Sequence, residues 1–128
     1  MGLRGLGELE RAVMACVWAH DGPVTGREVV DELARTRPIA YTTVLTVMDR
    51  LADKGLLAKQ PAGRVNAYRA VQSREAYTAG LMTSLLGGAE DPGAVLLCFA
   101  KQLPPEQAER LRSALDEGLG GRAGQRRA

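Results

Sequence analysis

Between Gly7 and His20, the apolar residues Leu9, Val13, Met14, Val17 and Trp18 recur at the three- and four-residue spacing of a helix with one inward stripe. Asp21-Gly22-Pro23 ends that stripe. Thr25-Gly26-Arg27-Glu28 has the S/T-x-x-E form of a capping box, in which threonine oxygen and glutamate satisfy reciprocal backbone donors. It predicts a second helix with Val29, Val30 and Leu33 inward, ending before Pro38. A third helix follows over residues 40–55, its core face Val44, Val47, Met48 and Leu51 and its terminator Gly55. Residues 56–60 and 65–71 then predict two short strands around the turn Pro61-Ala62-Gly63-Arg64. Three helices and a hairpin, in that order, make a winged helix-turn-helix domain over residues 6–72, in a chain that is mainly α with a small β-hairpin.

Ser73 is placed to cap a fourth helix over residues 74–86, with Tyr77, Leu81 and Leu85 on its apolar face. Gly87-Gly88 breaks it. Residues 94–103 are apolar on nearly every side, and Pro104-Pro105-Glu106 opens a sixth helix striped by Ala108, Leu111, Leu115 and Leu119. Helices this short do not enclose a core of their own. The expectation is therefore a helical dimerisation segment over residues 73–119 that pairs with a second copy through Leu81, Leu85, Leu97, Phe99, Leu103, Leu111 and Leu115. The Gly/Arg-rich end, residues 120–128, is expected to be a flexible tail.

The third helix carries a second pattern. Opposite its apolar stripe stand Tyr41, Thr42, Thr43, Thr46 and Arg50, and threonine is a poor helix former. A solvated face gains nothing from three of them. A face that enters a DNA major groove does, because short hydroxyls and methyls reach phosphates, base edges or thymine methyls without holding the helix away. Arg50 and Lys54 are then spaced for flanking phosphates, Tyr41 for a phosphate at the helix start, and Arg64 at the hairpin tip for the adjacent minor groove or backbone.

Charge supports this placement. Net charge is only +2, yet residues 36–70 hold six basic side chains against Asp49 and Asp53, while the flanking segments 1–35 and 71–117 are net acidic. Such asymmetry fits a segment that meets a polyanion. Catalysis has weak candidates: Glu8 with Glu10, and Glu106 with Glu109, stand without a nucleophile or base beside them. Cys16 and Cys98 each sit in an apolar helical pattern and read as buried, reduced thiols. His20 is the only histidine and no C-x-x-C occurs, so neither a metal site nor another cofactor is expected. With no apolar run near the length of a membrane span and no leader-like N-terminus, a cytoplasmic protein is expected.

Leu9-Glu10-Arg11-Ala12-Val13-Met14 with Trp18, the run from Ala40 to Leu56 (AYTTVLTVMDRLADKGL), and Tyr68 together resemble the BlaI/MecI/CopY family of penicillinase-type transcriptional repressors. The likeness runs from about residue 6 to 119. It implies a homodimer that binds an inverted-repeat operator with TACA/TGTA-type half-sites, and control of β-lactam-resistance or cell-envelope stress genes. Carried over by position, Thr43, Thr46 and Arg50 would contact groove and phosphates, and Arg64 would be the wing contact. The β-lactam-responsive members answer a membrane sensor protease system and are cleaved at an Asn-Phe bond in the dimerisation segment. Here Cys98 precedes Phe99, so this position is a candidate for altered cleavage or for redox input. The paired C-x-C motifs of the copper-responsive members are missing, which argues against copper sensing. The rival reading is a winged-helix protein-interaction module; aromatic residues, favoured at protein hot spots, are only 4% of the chain.

Overall fold

The computed structural model describes residues 6–127, with side chains through residue 118. Its elements are α1 (Glu8–Trp18), β1 (Val24–Thr25), α2 (Gly26–Leu33), α3 (Tyr41–Asp53), β2 (Leu57–Ala62), β3 (Val65–Ala70), α4 (Arg74–Gly87), α5 (Pro92–Gln102) and α6 (Pro105–Arg127). The chain divides into two compact units between Ser84 and Leu85, inside α4. The expected tail at 120–128 lies outside the residues whose side chains are described.

In the first unit, the predicted stripes converge. Val13, Met14 and Val17 of α1, Val29, Val30 and Leu33 of α2, and Val44, Val47, Met48 and Leu51 of α3 are all buried, joined by Val24, Leu57 and Tyr68 from the strands. Burial of such side chains is worth about 1.5–3 kcal/mol each and dominates the stability of the unit. The capping box forms as predicted: Glu28 N donates to Thr25 Oγ1 at 3.2 Å, and Thr25 N donates to Glu28 Oε1 at 2.8 Å. Gly55 adopts φ +84° after α3, where Leu56 N donates to Leu51 O at 2.9 Å and Gly55 N to Ala52 O at 3.0 Å. Those two bonds satisfy carbonyls that the helix end would otherwise leave open.

One strand is additional to the expected hairpin. β1 pairs antiparallel with β3 (Val24 with Tyr68, Thr25 with Ala67), giving a three-stranded sheet in the order β1-β3-β2. β2 is therefore an edge strand, which accommodates Pro61. The hairpin is also tighter than predicted: Ala62 pairs with Val65, leaving Gly63, at φ +73°, and Arg64 as a two-residue turn. After β3, Trp18 Nε1 donates to Gln72 O at 3.0 Å. Arg74 lies over the same indole, and Tyr77 packs beside it with ring centroids 5.7 Å apart.

The second unit has a different character. Asp91 caps α5, accepting from Ala94 N at 3.2 Å, so the helix starts at Pro92 rather than at residue 94. No residue of α5 is buried, and Val95, Leu96, Leu97, Phe99, Leu111 and Leu115 are all exposed. Cys16 is buried as expected, but Cys98 is exposed, because the apolar pattern around it meets no covering neighbour among the described residues.

Candidate nucleic-acid interface

The surface of α3 follows from its pitch. At about 100° per residue, Val44, Val47, Met48 and Leu51 occupy one side, and Thr42, Thr43, Thr46 and Arg50 fall within an arc of about 100° opposite them. All four of the latter are exposed. Tyr41 falls at the edge of the core arc: it is half-buried, packs against the core cluster, and carries Arg27 of α2 at 4.7 Å from its ring centroid. Arg27 is exposed, which adds a guanidinium at the start of α3 that its place inside a capping box had concealed.

Two polar clamps hold this helix. Asp49 Oδ1, on α3, accepts from Tyr68 Oη at 2.7 Å and from Lys59 Nζ at 3.1 Å, so β3 and β2 are both tied to α3. The Tyr68 bond, then Lys59, holds the Asp49 carboxyl below its usual range, while burial and the same carboxylate push the Tyr68 phenol up. At the other end, Lys54 Nζ donates to Glu10 Oε2 at 2.8 Å, and Glu10 Oε1 accepts from Gly7 N at 3.1 Å. Lys54 and then Gly7 lower the Glu10 pKa. Lys54 is thus paired directly with α1, whereas Arg50 acts on Glu10 through its charge alone among the described residues. Close approach seats α3 on α2 as well, since Gly26 abuts Leu45 and Tyr41 with no room for a Cβ unless Leu45 shifts.

Arg64 is exposed at the hairpin turn. The structure therefore groups Thr42, Thr43, Thr46 and Arg50 on one helix face and keeps Arg64 on the separate wing. The predicted pairing residues divide too. Leu85 (79% exposed), Leu97 (68%), Phe99, Leu111 and Leu115 are open, Leu103 is half-buried, and Leu81 is half-buried against the core of the first unit. Elsewhere the fold brings Cys16, His20 and Glu32, which lie apart in the sequence, within 4.8 Å of one another by one ligand atom each. Among the described residues, no helix is long and apolar enough to cross a membrane.

The model of a family described as penicillinase repressor matches residues 6–117. A transcriptional regulator BlaI of Mycobacterium tuberculosis (strain CDC 1551 / Oshkosh) is 42% identical over 118 residues, which cover 90% of this chain and 86% of that one. The solution structure of the DNA-binding domain of the repressor BlaI aligns with a TM-score of 0.50 and 29% identity, covering 56% of this chain and 87% of that one. At 16% identity, hsRosR-S4 shares the fold with a TM-score of 0.54, covering 94% of this chain and 95% of that one.

Proposed function

The chain belongs to the penicillinase repressor family, and from that premise we propose that it acts as a homodimer on an inverted-repeat operator. Residues 6–72 engage DNA and residues 73–119 supply the pairing surface. Thr43, Thr46 and Arg50 enter the major groove, Thr42 and Tyr41 meet phosphate at the start of α3 with Arg27 beside them, and Arg64 reaches the backbone or minor groove from the wing. Lys54, held by Glu10, contributes through field rather than direct contact. The genes controlled are those of β-lactam resistance or cell-envelope stress, with a membrane sensor protease system upstream.

The observation that carries this reading is the two-sided α3: its apolar side is buried, and the side bearing three threonines and Arg50 is open to solvent. Pairing is supported by the open apolar residues of α5 and α6, since a soluble monomer rarely leaves so many leucines uncovered. Electrophoretic mobility of promoter DNA tests both parts. Thr46→Ala and Arg50→Ala should each weaken binding and leave the dimer intact, whereas Leu111→Asp should yield monomers on sizing. Parent-like binding by both α3 variants would remove the groove assignment, and an unchanged dimer for Leu111→Asp would remove the interface.

A further inference from the structure

Cys16 lies buried in the last turns of α1, exposed His20 follows the end of that helix, and half-buried Glu32 sits near the end of α2. One ligand atom from each, the thiol sulfur, an imidazole nitrogen and a carboxylate oxygen, lies within 4.8 Å of the other two. Cys16 and His20 are four residues apart, and the chain turns back over the helix end so that His20 stays beside Cys16. Glu32 comes from the opposing helix, so the fold supplies the third donor. His20 Nδ1 bonds the Cys16 carbonyl oxygen at 2.8 Å. A carbonyl can only accept, so Nδ1 carries a proton, and Nε2 is the nitrogen left for a metal to take. Metal-bound histidines commonly have their other nitrogen oriented by such a bond.

We propose that Cys16, His20 and Glu32 form a Zn²⁺ site that ties α1 to α2. Around a tetrahedral ion with Zn–S of about 2.3 Å and Zn–N or Zn–O of about 2.0–2.1 Å, ligand atoms stand roughly 3.4–3.6 Å apart. The donors therefore close by about an ångström at their widest when an ion binds. One thiolate and one carboxylate neutralise the 2+ charge, so the occupied site carries no net charge in a partly buried place. Sulfur and imidazole donors select Zn²⁺ over Mg²⁺ or Ca²⁺, which take oxygen shells. Three protein ligands leave the fourth position to water.

Without the ion the Cys16 thiol is protonated, its pKa pushed up to about 11 by burial and by neighbouring Glu32. On coordination the S–H bond breaks, the S–Zn bond forms, and the proton leaves to solvent. Because α2 abuts Leu45 and Tyr41 of α3 through Gly26, an occupied site also stiffens the helix that seats α3.

The test uses the reduced full chain stripped of metal, and its outcome does not depend on DNA binding. Titration with Co²⁺ should raise a near-ultraviolet thiolate-to-cobalt band and the visible bands of a tetrahedral ion at one ion per chain, and Zn²⁺ should displace it. His20→Gln and Glu32→Gln, both outside the core, should keep the parent circular dichroism and lower Zn²⁺ affinity by about tenfold or more. Cys16→Ser should lose the charge-transfer band, and Cys98→Ser should bind like the parent. A parent without the band, unchanged affinity in both glutamine variants, or a band that vanishes in Cys98→Ser would overturn the site.

Discussion

Removing the Tyr68 hydroxyl tests how α3 is fastened to the wing. Tyr68 is 2% exposed and its Oη donates to Asp49 at 2.7 Å, a bond to a charged acceptor. Such bonds contribute about 1.5–3 kcal/mol. The Asp49 side chain is 51% exposed and also holds Lys59, so water replaces the lost donor and Tyr68→Phe should cost about 1.5 kcal/mol, the lower end. Asp49→Ala acts differently, because it strands a buried hydroxyl, at about 2 kcal/mol. The solvent-exposed Lys59 pair adds at most a few tenths. In the double variant no hydroxyl is stranded, so the loss should fall short of the sum by about 1.5 kcal/mol. Urea unfolding with unchanged slope measures all four proteins. Additive losses, with coupling below about 0.3 kcal/mol, would refute the clamp.

The same clamp has a pH signature. Asp49 is lowered in the folded state, so its contribution is complete above the ordinary carboxylate range and fades as pH falls through the depressed folded value. The deficit of Tyr68→Phe relative to the parent should therefore be largest near neutrality and shrink in acid. Tyr68 is raised, so its contribution is full below the ordinary tyrosine value and is lost as pH rises beyond it.

Gly55→Ala forces a side chain into φ +84° at the end of α3 and should cost about 1–2 kcal/mol in thermal or urea unfolding; a neutral result would mean the α3 terminus relaxes freely. Tyr77 Oη is buried and has no hydrogen-bond partner among the described residues, so Tyr77→Phe should be neutral or stabilise by up to about 1 kcal/mol, and a clear loss would reveal a partner for that hydroxyl. Arg64→Ala should lower the log–log salt slope of DNA binding by about 0.9 if the wing guanidinium neutralises one phosphate; an unchanged slope would leave Arg64 a solvated turn residue.

The first unit was legible where structure is local. The stripes of α1, α2 and α3, the Thr25–Glu28 box and the Gly55 terminator all depend on residues within a few positions of one another, and periodicity reads those directly. β1 was not legible, because two residues have no period and Val24–Thr25 becomes a strand only through distant Tyr68 and Ala67. Asp49 looked like a stray acid in a basic segment until β2 and β3 brought Lys59 and Tyr68 to it. Glu32 was hidden in the same way: Cys16 and His20 are close in sequence at the end of α1, but their third neighbour is set by how α1 and α2 pack. Around Cys98 the reading failed for a different reason, since an apolar pattern predicts burial without saying which chain provides the cover.

Retention of genomic fragments by the full-length protein, at physiological salt and followed by footprinting, tests the central claim most directly. The account predicts fragments that share an inverted repeat, with both half-sites protected in the parent and protection lost in Arg50→Ala. Fragments without a common motif, bound equally by parent and Arg50→Ala and released by modest salt, would contradict it.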